Sequence, residues 1–455
     1  MNVAIFAGEV SGDLIGGALA REILALAPDT RLWGVGSDAM RSAGVELIED
    51  SASWGAISVT EAITKVPHLL LRVAPKMKAL ARARRPDVVV LIDFGAFNVR
   101  AARYCKSLGL RVVYYFPPGS WRRGTGGKGA ELASLTDLLI VPFPWAEERY
   151  RGLGANVVNV GHPILDRVRS SMSRTEFAGH FGMDPLAPIV GLLPGSRNQE
   201  VSHLMPALLD SARRIYHTVK DAQFVVGVAP SISMEMMRGY LTDHADVRDR
   251  LSEIWHEFAQ EAETKVLKPV RRTANALSPR GQRKLVTVGG VVISEDSFRE
   301  RLEEQRKEAD RRNRLGLPPI VLATGLTYEI MAHSDVLLAC SGTATLEASL
   351  FETPMVILYK GSKLMELEYY ARGIHKTAAH IGLPNILADR RIVPELIQRQ
   401  ATPDAIAQHA VAMLNDPEVR HRVKTDLRSV RLALGEAGAS ARAARLVLQV
   451  ASDGR

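Results

Sequence analysis

The chain has 455 residues, of which 46% are hydrophobic and 24% charged, a balance typical of a soluble globular protein with two or three domains. Its formal net charge is +8, but the basic residues are mostly dispersed and lack interleaved aromatic residues, which argues against a dedicated nucleic-acid-binding role. Cys105 and Cys340 lie too far apart for a metal motif or a disulfide framework, and no apolar run approaches the roughly 20 residues needed to cross a bilayer.

The first half of the chain alternates short apolar runs with helical patterns, which predicts a parallel sheet. Several runs are continuously apolar, as expected of strands buried on both faces. Predicted strands cover residues 2–7, 31–35, 88–92, 112–116, 138–142 and 156–160. Predicted helices cover residues 12–27, 67–84 and 100–108. The N-terminus lacks a basic leader and a cleavage site, so it is interpreted as a strand and not as a signal peptide.

A second series of strands and helices begins near Ala187. Its predicted strands cover residues 189–193, 223–228, 320–323, 336–340 and 355–359, and its predicted helices cover 200–220 and 343–351. A charged stretch at 231–317 is interpreted as an insertion with a strand or a hairpin at 285–293, and 403–450 as two helices. The predicted domains are residues 1–165, residues 185–400 and a group of C-terminal helices at 401–455.

Two such series in tandem predict an α/β protein with two Rossmann-like domains that face each other across a cleft. In open parallel sheets, ligands bind beyond the carboxyl ends of the strands. The turns that follow the strands are therefore the places to look for functional residues.

The turn after the first strand carries Gly8, Glu9, Ser11 and Asp13. A glycine at this position lets a ligand approach the backbone near a helix N-terminus. A carboxylate between a strand end and a helix needs a partner, so Glu9 is a candidate functional residue. Ser11 is either a substrate contact or the N-cap of the following helix.

Asp93 ends a very apolar strand, where burial raises the pKa of a carboxyl group and suits it to accept a proton near neutral pH. The alternative is that Asp93 caps a helix beginning at Val99. At the end of the first series, His162 either contacts substrate or holds a turn between the domains.

In the second half, two glycine-containing turns join an apolar strand to a helix. Around Pro194–Glu200, backbone N–H groups, Ser196 and the Arg197 guanidinium are predicted to bind a diphosphate. At the turn after residue 340, phosphate oxygens would meet the backbone at Ser341, Gly342 and Thr343. One helical turn further, Glu347 would accept hydrogen bonds from ribose hydroxyls.

In their order along the chain, seven segments resemble the lipid-A-disaccharide synthase family, and the resemblance spans nearly everything but the insertion. The segments are AGEVSGD, WGAISVTEAI, IDFGAFN, GHPILD, LLPGSRNQE, SGTATLEASLFETPMVILYK and LPNILADRRIVPELIQ.

The resemblance implies a GT-B fold, inversion at the anomeric carbon, and neither a metal nor a cofactor. The implied reaction moves 2,3-diacylglucosamine from UDP to a lipid monosaccharide phosphate in a β-1,6 linkage. It also implies that Asp93 is the general base, that Glu9 belongs to the active site, and that Arg197 with residues 341–343 stabilises the departing diphosphate. Glu347 and Asn385 fall in matching blocks on the UDP-sugar side.

Two departures from the family pattern lie in the first half. Gly95 and Ala96 stand where the family usually has a second aspartate, and residues 118–128 differ from its tryptophan-containing block. The segments expected to bind the donor therefore match the family pattern, whereas those expected to bind the acceptor differ from it. Alternatives are a relative that glycosylates another acceptor, a UDP-GlcNAc-type epimerase of the same fold, and a non-catalytic binding protein.

The expected partners are a UDP-sugar donor and an acylated sugar acceptor, with no nucleic acid, and a homodimer is left open. The segment 67–85 is apolar with a basic flank, which fits a helix lying on an anionic membrane surface. It fits equally an ordinary core-facing helix with a basic outer face. A cytoplasmic protein, peripheral on the inner face of the cytoplasmic membrane, is the resulting expectation.

Overall fold

The computed structural model describes residues 1–51, 54, 69–120, 129–244, 285–288, 291–294, 318–371 and 379–453. The chain divides into two compact units. The first comprises Met1–Val168 with Ser429–Arg455, and the second comprises Arg169–Arg428. Residues 121–128, most of the predicted insertion at 231–317 and the start of the predicted helix at 67–84 lie outside the described residues.

The first unit contains a sheet of seven parallel strands in the order β3-β2-β1-β4-β5-β6-β7. The central strands are buried along their whole length, which explains their uninterrupted apolar sequences. The strands are β1 Asn2–Ala7, β2 Arg31–Gly36, β3 Glu46–Asp50, β4 Val88–Ile92, β5 Val112–Tyr115, β6 Leu138–Val141 and β7 Val157–Asn159.

Helices connect these strands, as parallel pairing requires. A short π-helix, Leu69–Val73, runs directly into the third helix. The helices are α1 Val10–Leu26, α2 Asp38–Ser42, α3 Ala74–Arg84, α4 Gly95–Ser107, α5 Gly129–Leu135, α6 Pro144–Gly152 and α7 Ile164–Arg167.

The second unit contains a sheet of six parallel strands in the order β12-β9-β8-β13-β14-β15. A separate antiparallel hairpin, β10 Leu285–Val288 with β11 Val291–Ser294, confirms the second of the two alternatives predicted at 285–293. The strands of the sheet are β8 Ile189–Leu193, β9 Gln223–Val228, β12 Ile320–Thr324, β13 Val336–Cys340, β14 Met355–Tyr359 and β15 Glu395–Ile397.

The helices of the second unit include α9, whose apolar face supplies much of the core beside β8 and β9. They are α8 Arg174–His180, α9 Asn198–Thr218, α10 Met234–His244, α11 Thr327–His333, α12 Thr343–Leu350, α13 Lys363–Ala371, α14 Leu383–Ala388 and α15 Pro403–Asn415. Among the described helices of both units, none is both long and apolar enough to cross a membrane.

The C-terminal region forms three helices, so the prediction of two was wrong. The additional break lies at Asp416, whose carboxylate accepts the N–H groups of Glu418 and Val419 and so starts α16 Pro417–Ala433 immediately after α15. The last helix, α17 Ala439–Ser452, packs against α1 and belongs to the core of the first unit. The chain thus ends in the unit in which it began.

Each sheet has one place where the strand order reverses, and both lie beside the first strand of the unit. In the first unit β1 and β4 are neighbours, with Ala7 opposite Ile92. In the second unit β8 and β13 are neighbours, with Leu193 opposite Ala339. Ligands of open α/β sheets bind at such reversal points. The turns after these four strands carry most of the predicted site residues.

Candidate active site

Glu9 is the residue that joins β1 to α1. It has an extended backbone and is the N-cap of α1, with its carbonyl accepting the first helical hydrogen bond from Asp13 at 2.8 Å. The predicted alternative of Ser11 as the N-cap was wrong, because Ser11 lies inside the first turn. Asp13 is buried, and its carboxylate accepts the N–H groups of Ser37, Ala39 and Met40. It therefore fixes the start of α2.

Asp93 follows β4 in a left-handed conformation with φ +46°. Its backbone is held on three sides: its N–H donates to the Tyr115 carbonyl at 3.2 Å, and its carbonyl accepts Tyr114 Oη at 2.7 Å and Asn98 Nδ2 at 3.0 Å. Asn98 is 1% exposed and also donates to the Ile92 carbonyl. Such a strained backbone persists only where its surroundings fix it. The Asp93 carboxyl group is thereby held at the reversal point.

The helix-capping alternative for Asp93 was wrong, since α4 begins at Gly95 and its N-cap is Phe94. Burial and, as a smaller cause, the negative charge of Glu9 together raise the pKa of the Asp93 carboxyl to about 6. This value suits a group that accepts a proton near neutral pH.

Aromatic side chains pack together at the turn that follows Asp93. The rings of Trp54, Phe94 and Phe97 lie with centroids 6.0–6.3 Å apart. Phe94, also left-handed with φ +48°, lies so close to Gly8 that a Cβ at that position would come within 2.3 Å of its ring. Gly8 is therefore needed for this ring to lie over the β1 turn.

The departure at Gly95 is linked to the one that begins at Pro118. A Cβ built on Gly95 would lie 2.4 Å from Cγ of Pro118, so the missing side chain is what lets the two turns touch. Beyond Ser120, the altered block lies outside the described residues. One residue of each departure therefore takes part in this contact, at the turn that follows Asp93.

His162 holds a turn after β7. Its Nδ1 accepts the N–H of Ile164 at 3.1 Å, its own N–H donates to the Leu434 carbonyl, and its ring packs on Phe116 and Phe143. Burial and, as a smaller cause, the nearby charge of Arg167 lower the pKa of His162 to about 3. A neutral imidazole engaged in this way favours the structural alternative.

In the second unit, the turn after β8 carries Ser196 and Arg197, as predicted. The backbone N–H groups of both residues donate to one oxygen of Glu200, at 3.0 and 3.2 Å, and Arg197 Nη1 donates to the other at 2.9 Å. The N-terminus of α9 is thus already occupied by a carboxylate of its own chain.

The turn after β13 is different. Gly342, which has no side chain with which to cap a helix, is the N-cap of α12, and Gly342 and Thr343 are exposed. Ser341 donates its hydroxyl to the Ile381 carbonyl at 3.2 Å. The first N–H groups of a helix have no partner within the helix and attract anions. This helix start is therefore the better phosphate site of the two.

Glu347 lies one turn further along α12 and is partly exposed. Tyr328, at the start of α11, donates its hydroxyl to Glu347 Oε1 at 3.2 Å. This contact orients the Glu347 carboxylate, a group that accepts hydrogen bonds from hydroxyl groups.

Asn385 is completely buried, and its side chain is bonded to its own unit. Its Oδ1 accepts the N–H groups of Ile392 and Val393, and its Nδ2 donates to the Val393 carbonyl and to Glu395. Glu395 in turn accepts the N–H groups of Ile381 and Gly382. These contacts give Asn385 the role of shaping the segment that receives the Ser341 hydroxyl.

The structure thus brings Glu9 close to Asp93 in one unit, and Arg197 close to the turn at Ser341 in the other. The second proximity is supported by Cys340, at the end of β13. The pKa of its thiol is raised to about 12, mainly by burial and also by the charge of Glu200, while the charge of Arg197 lowers it. Within the part of the chain that the structure describes, no cluster of His, Cys, Asp and Glu side chains is arranged to hold a metal ion.

Four residues that support the candidate site were not identified from the sequence: Asn98, Tyr114, Glu200 and Tyr328. Glu200 alone gave a local signal, since a glutamate three residues after a helix cap is typical of a capping box. Tyr114 and Tyr328 act through contacts between distant segments, whereas Asn98 donates to the carbonyl groups of Ile92 and Asp93 just before it.

Comparison with known proteins decides the family. A family model described as lipid-A-disaccharide synthetase matches residues 3–253 and 282–450. The chain belongs to the lipid-A-disaccharide synthase family. Within the predicted insertion, residues 254–281 are the part that this family model does not match.

Relatives and solved structures agree with this assignment. The lipid-A-disaccharide synthase of Geobacter metallireducens is 33% identical over 98% of this chain and 97% of its own. MurG of Acinetobacter baumannii has a TM-score of 0.53 at 11% identity, covering 98% of this chain and 99% of its own. The UDP-GlcNAc 2-epimerase of Neisseria meningitidis, solved with UDP-GlcNAc, has a TM-score of 0.51 at 11% identity, covering 99% and 100%. These likenesses confirm the predicted GT-B fold.

Proposed function

We propose that this member of the lipid-A-disaccharide synthase family is an inverting, UDP-sugar-dependent glycosyltransferase. It moves 2,3-diacylglucosamine from UDP to a lipid monosaccharide phosphate and forms a β-1,6 linkage. The observation that carries the proposal is the half-buried Asp93 carboxyl at the reversal point, whose pKa of about 6 suits a general base, in a chain that matches the family over almost its whole length.

In this mechanism Asp93 takes the proton of the acceptor hydroxyl as its oxygen attacks the anomeric carbon. The bond between that carbon and the diphosphate oxygen breaks, and UDP leaves with the bonding electrons. A single base and in-line attack give inversion. Glu9 keeps the pKa of Asp93 high through its charge.

The departing diphosphate needs positive charge and N–H donors. The N-terminus of α12 at Ser341, Gly342 and Thr343 supplies the donors, and Arg197 supplies the charge. Glu347, held by Tyr328, binds the ribose hydroxyls. Ser196 contributes through its hydroxyl, because its N–H is bonded to Glu200.

The direct test is incubation of the purified protein with UDP-diacylglucosamine and the acylated sugar phosphate. Release of UDP together with the disaccharide supports the proposal. UDP binding without turnover points to a different acceptor, as the contact between Gly95 and Pro118 allows. Conversion of UDP-GlcNAc without any acceptor would indicate an epimerase. Complementation of a strain that lacks the synthase tests donor and acceptor together.

We also propose peripheral binding to the inner face of the cytoplasmic membrane. Leu71 is 76% exposed beside Arg72, just before the basic helix α3. An apolar side chain next to basic ones is typical of interfacial contact. Sedimentation with vesicles tests this proposal. Binding to anionic but not zwitterionic vesicles, and weaker binding of Leu71→Ser, would support it.

The homodimer stays a prediction that light scattering can check.

A further inference from the structure

The carboxylate of Glu200 makes three contacts with the turn that precedes α9. Oε2 accepts the N–H groups of Ser196 and Arg197, and Oε1 accepts Nη1 of Arg197. The Glu200 side chain is only 12% exposed, whereas that of Arg197 is 50% exposed. One anionic group therefore fixes both the turn and the guanidinium that extends from it.

The turn is built to admit this carboxylate. Gly195 has φ +118°, a conformation that favours glycine, and a Cβ at this position would lie 2.5 Å from Glu200 Oε2. On the other side, the Ser231 hydroxyl donates to the Ser196 carbonyl at 2.6 Å. Both contacts limit the positions that Glu200 and the turn can take.

The backbone N–H groups of this turn and the Arg197 guanidinium therefore have different roles in anion binding. The N–H groups of Ser196 and Arg197 already have an anionic partner, so they are not the donors that a diphosphate would use. Glu200 engages only Nη1 of Arg197, and a guanidinium has five N–H donors in a rigid plane. Donors beyond Nη1 can therefore serve a ligand, and the charge of Arg197 acts on Cys340 at the end of β13.

We propose that Glu200 is a positioning residue for the donor diphosphate, which it serves by holding the Arg197 guanidinium in the orientation that binds phosphate. The inference rests on the proposed function, in which Arg197 binds the diphosphate. Fixing the side chain before binding saves the entropy that a free arginine would lose on contact with UDP.

Glu200→Gln is the informative variant. Its amide oxygen can still accept the N–H groups of the turn, while its NH₂ group cannot accept a hydrogen bond from Arg197. The variant therefore keeps the cap and removes the ion pair. We expect UDP to bind about tenfold more weakly by calorimetry, while uridine, which has no phosphate, binds as it does to the unaltered protein. The KM for the sugar nucleotide should rise and kcat should fall.

Glu176→Gln is the matched control. Glu176 occupies the same position after its helix cap, in a capping box with Ser173 at the start of α8. Substitution there alters a cap of the same kind away from the turn at Arg197. It should leave the affinity for UDP unchanged and change thermal stability about as much as Glu200→Gln does.

A double-mutant cycle with Arg197→Ala decides whether Glu200 acts through Arg197. We expect Glu200→Gln to have no further effect on UDP binding once Arg197 is alanine. An equal loss in both backgrounds would show a merely structural role. Tighter binding in Glu200→Gln would show that Glu200 competes with the diphosphate; either result overturns the inference. Failure of the unaltered protein to bind UDP would instead overturn the proposed function.

Discussion

The two units have sheets with the same order around their first strands, yet the reversal points of these sheets carry opposite charges. In the first unit the turns after β1 and β4 present the carboxylates of Glu9 and Asp93. In the second unit the turns after β8 and β13 present Arg197 and the N-terminus of α12. The shared topology determines where a ligand binds, and the few residues in the turns determine whether a proton is accepted or an anion is bound.

The two reversal points also differ in the surroundings of their charged groups. Asp93 is largely withdrawn from solvent and stands near a second carboxylate, so its charged form is disfavoured. Arg197 is half exposed and paired with Glu200. A base benefits from a raised pKa, whereas a phosphate-binding group benefits from a fixed orientation and a permanent charge. Substitutions on the two sides should therefore affect different steps.

The largest effect is expected for Asp93→Asn, which keeps the shape of the side chain and removes its capacity to take a proton. We expect kcat to fall by roughly 10²–10⁴-fold, the usual contribution of a general base, while UDP binds with unchanged affinity. Steady-state kinetics and calorimetry measure the two quantities separately. Asp29→Asn, at an exposed position of the same unit, is the control. Full activity of Asp93→Asn would require another base.

For Arg197→Ala we expect weaker binding of UDP, the quantity that Asp93→Asn leaves unchanged. Loss of a charge-assisted hydrogen bond to the diphosphate costs about 1.5–3 kcal/mol, so UDP should bind roughly 10–100-fold more weakly. Arg213→Ala, on the same helix and in a loose 3.9 Å ion pair with Asp210, should have no effect. Calorimetry with UDP gives both values. Unaltered affinity in Arg197→Ala would place the diphosphate entirely on α12.

Much of the fold could be predicted from the sequence because the central strands are buried on both faces. β4 and β13 are continuous apolar runs and were predicted with their observed bounds. The edge strands β3 and β15 were missed. β3 is only half buried and carries three acidic residues, and β15 has three residues, so neither gives the pattern of a buried strand.

The candidate site could be predicted only in part, for a similar reason. Asp93 and Arg197 stand at strand ends, where sequence position alone indicates exposure to a ligand. Asn385 also lies in a segment that matches the family. Its hydrogen-bond partners, however, lie at residues 392–395, and its side chain is completely buried among them. Whether a polar residue faces a ligand or its own backbone depends on the packing of separate segments, which a local motif does not contain.

Asn385→Ala tests that distinction by its effect on stability. The variant leaves the N–H groups of Ile392 and Val393 buried without their acceptor, which should cost roughly 1–3 kcal/mol in the free energy of unfolding. Urea unfolding measures this, with exposed Asn415→Ala as the control. A variant that is as stable as the unaltered protein but no longer binds UDP would show that Asn385 contacts the ligand after all.

The smallest effect is expected for Glu9→Gln, and it concerns the pH dependence on the carboxylate side. Below the pKa of about 6, Asp93 is protonated and cannot act as a base, so kcat/KM should fall as the pH drops through this value. The negative charge of Glu9 raises that pKa, and its removal should therefore lower it and extend activity to lower pH. Because burial is the larger cause of the raised pKa, the low-pH limb of the kcat/KM profile should move by less than about one pH unit. A pH profile of kcat/KM for both proteins measures the shift. Movement of the limb to higher pH would contradict the assigned coupling, and an equal loss of activity at every pH would show that Glu9 contacts the substrate itself.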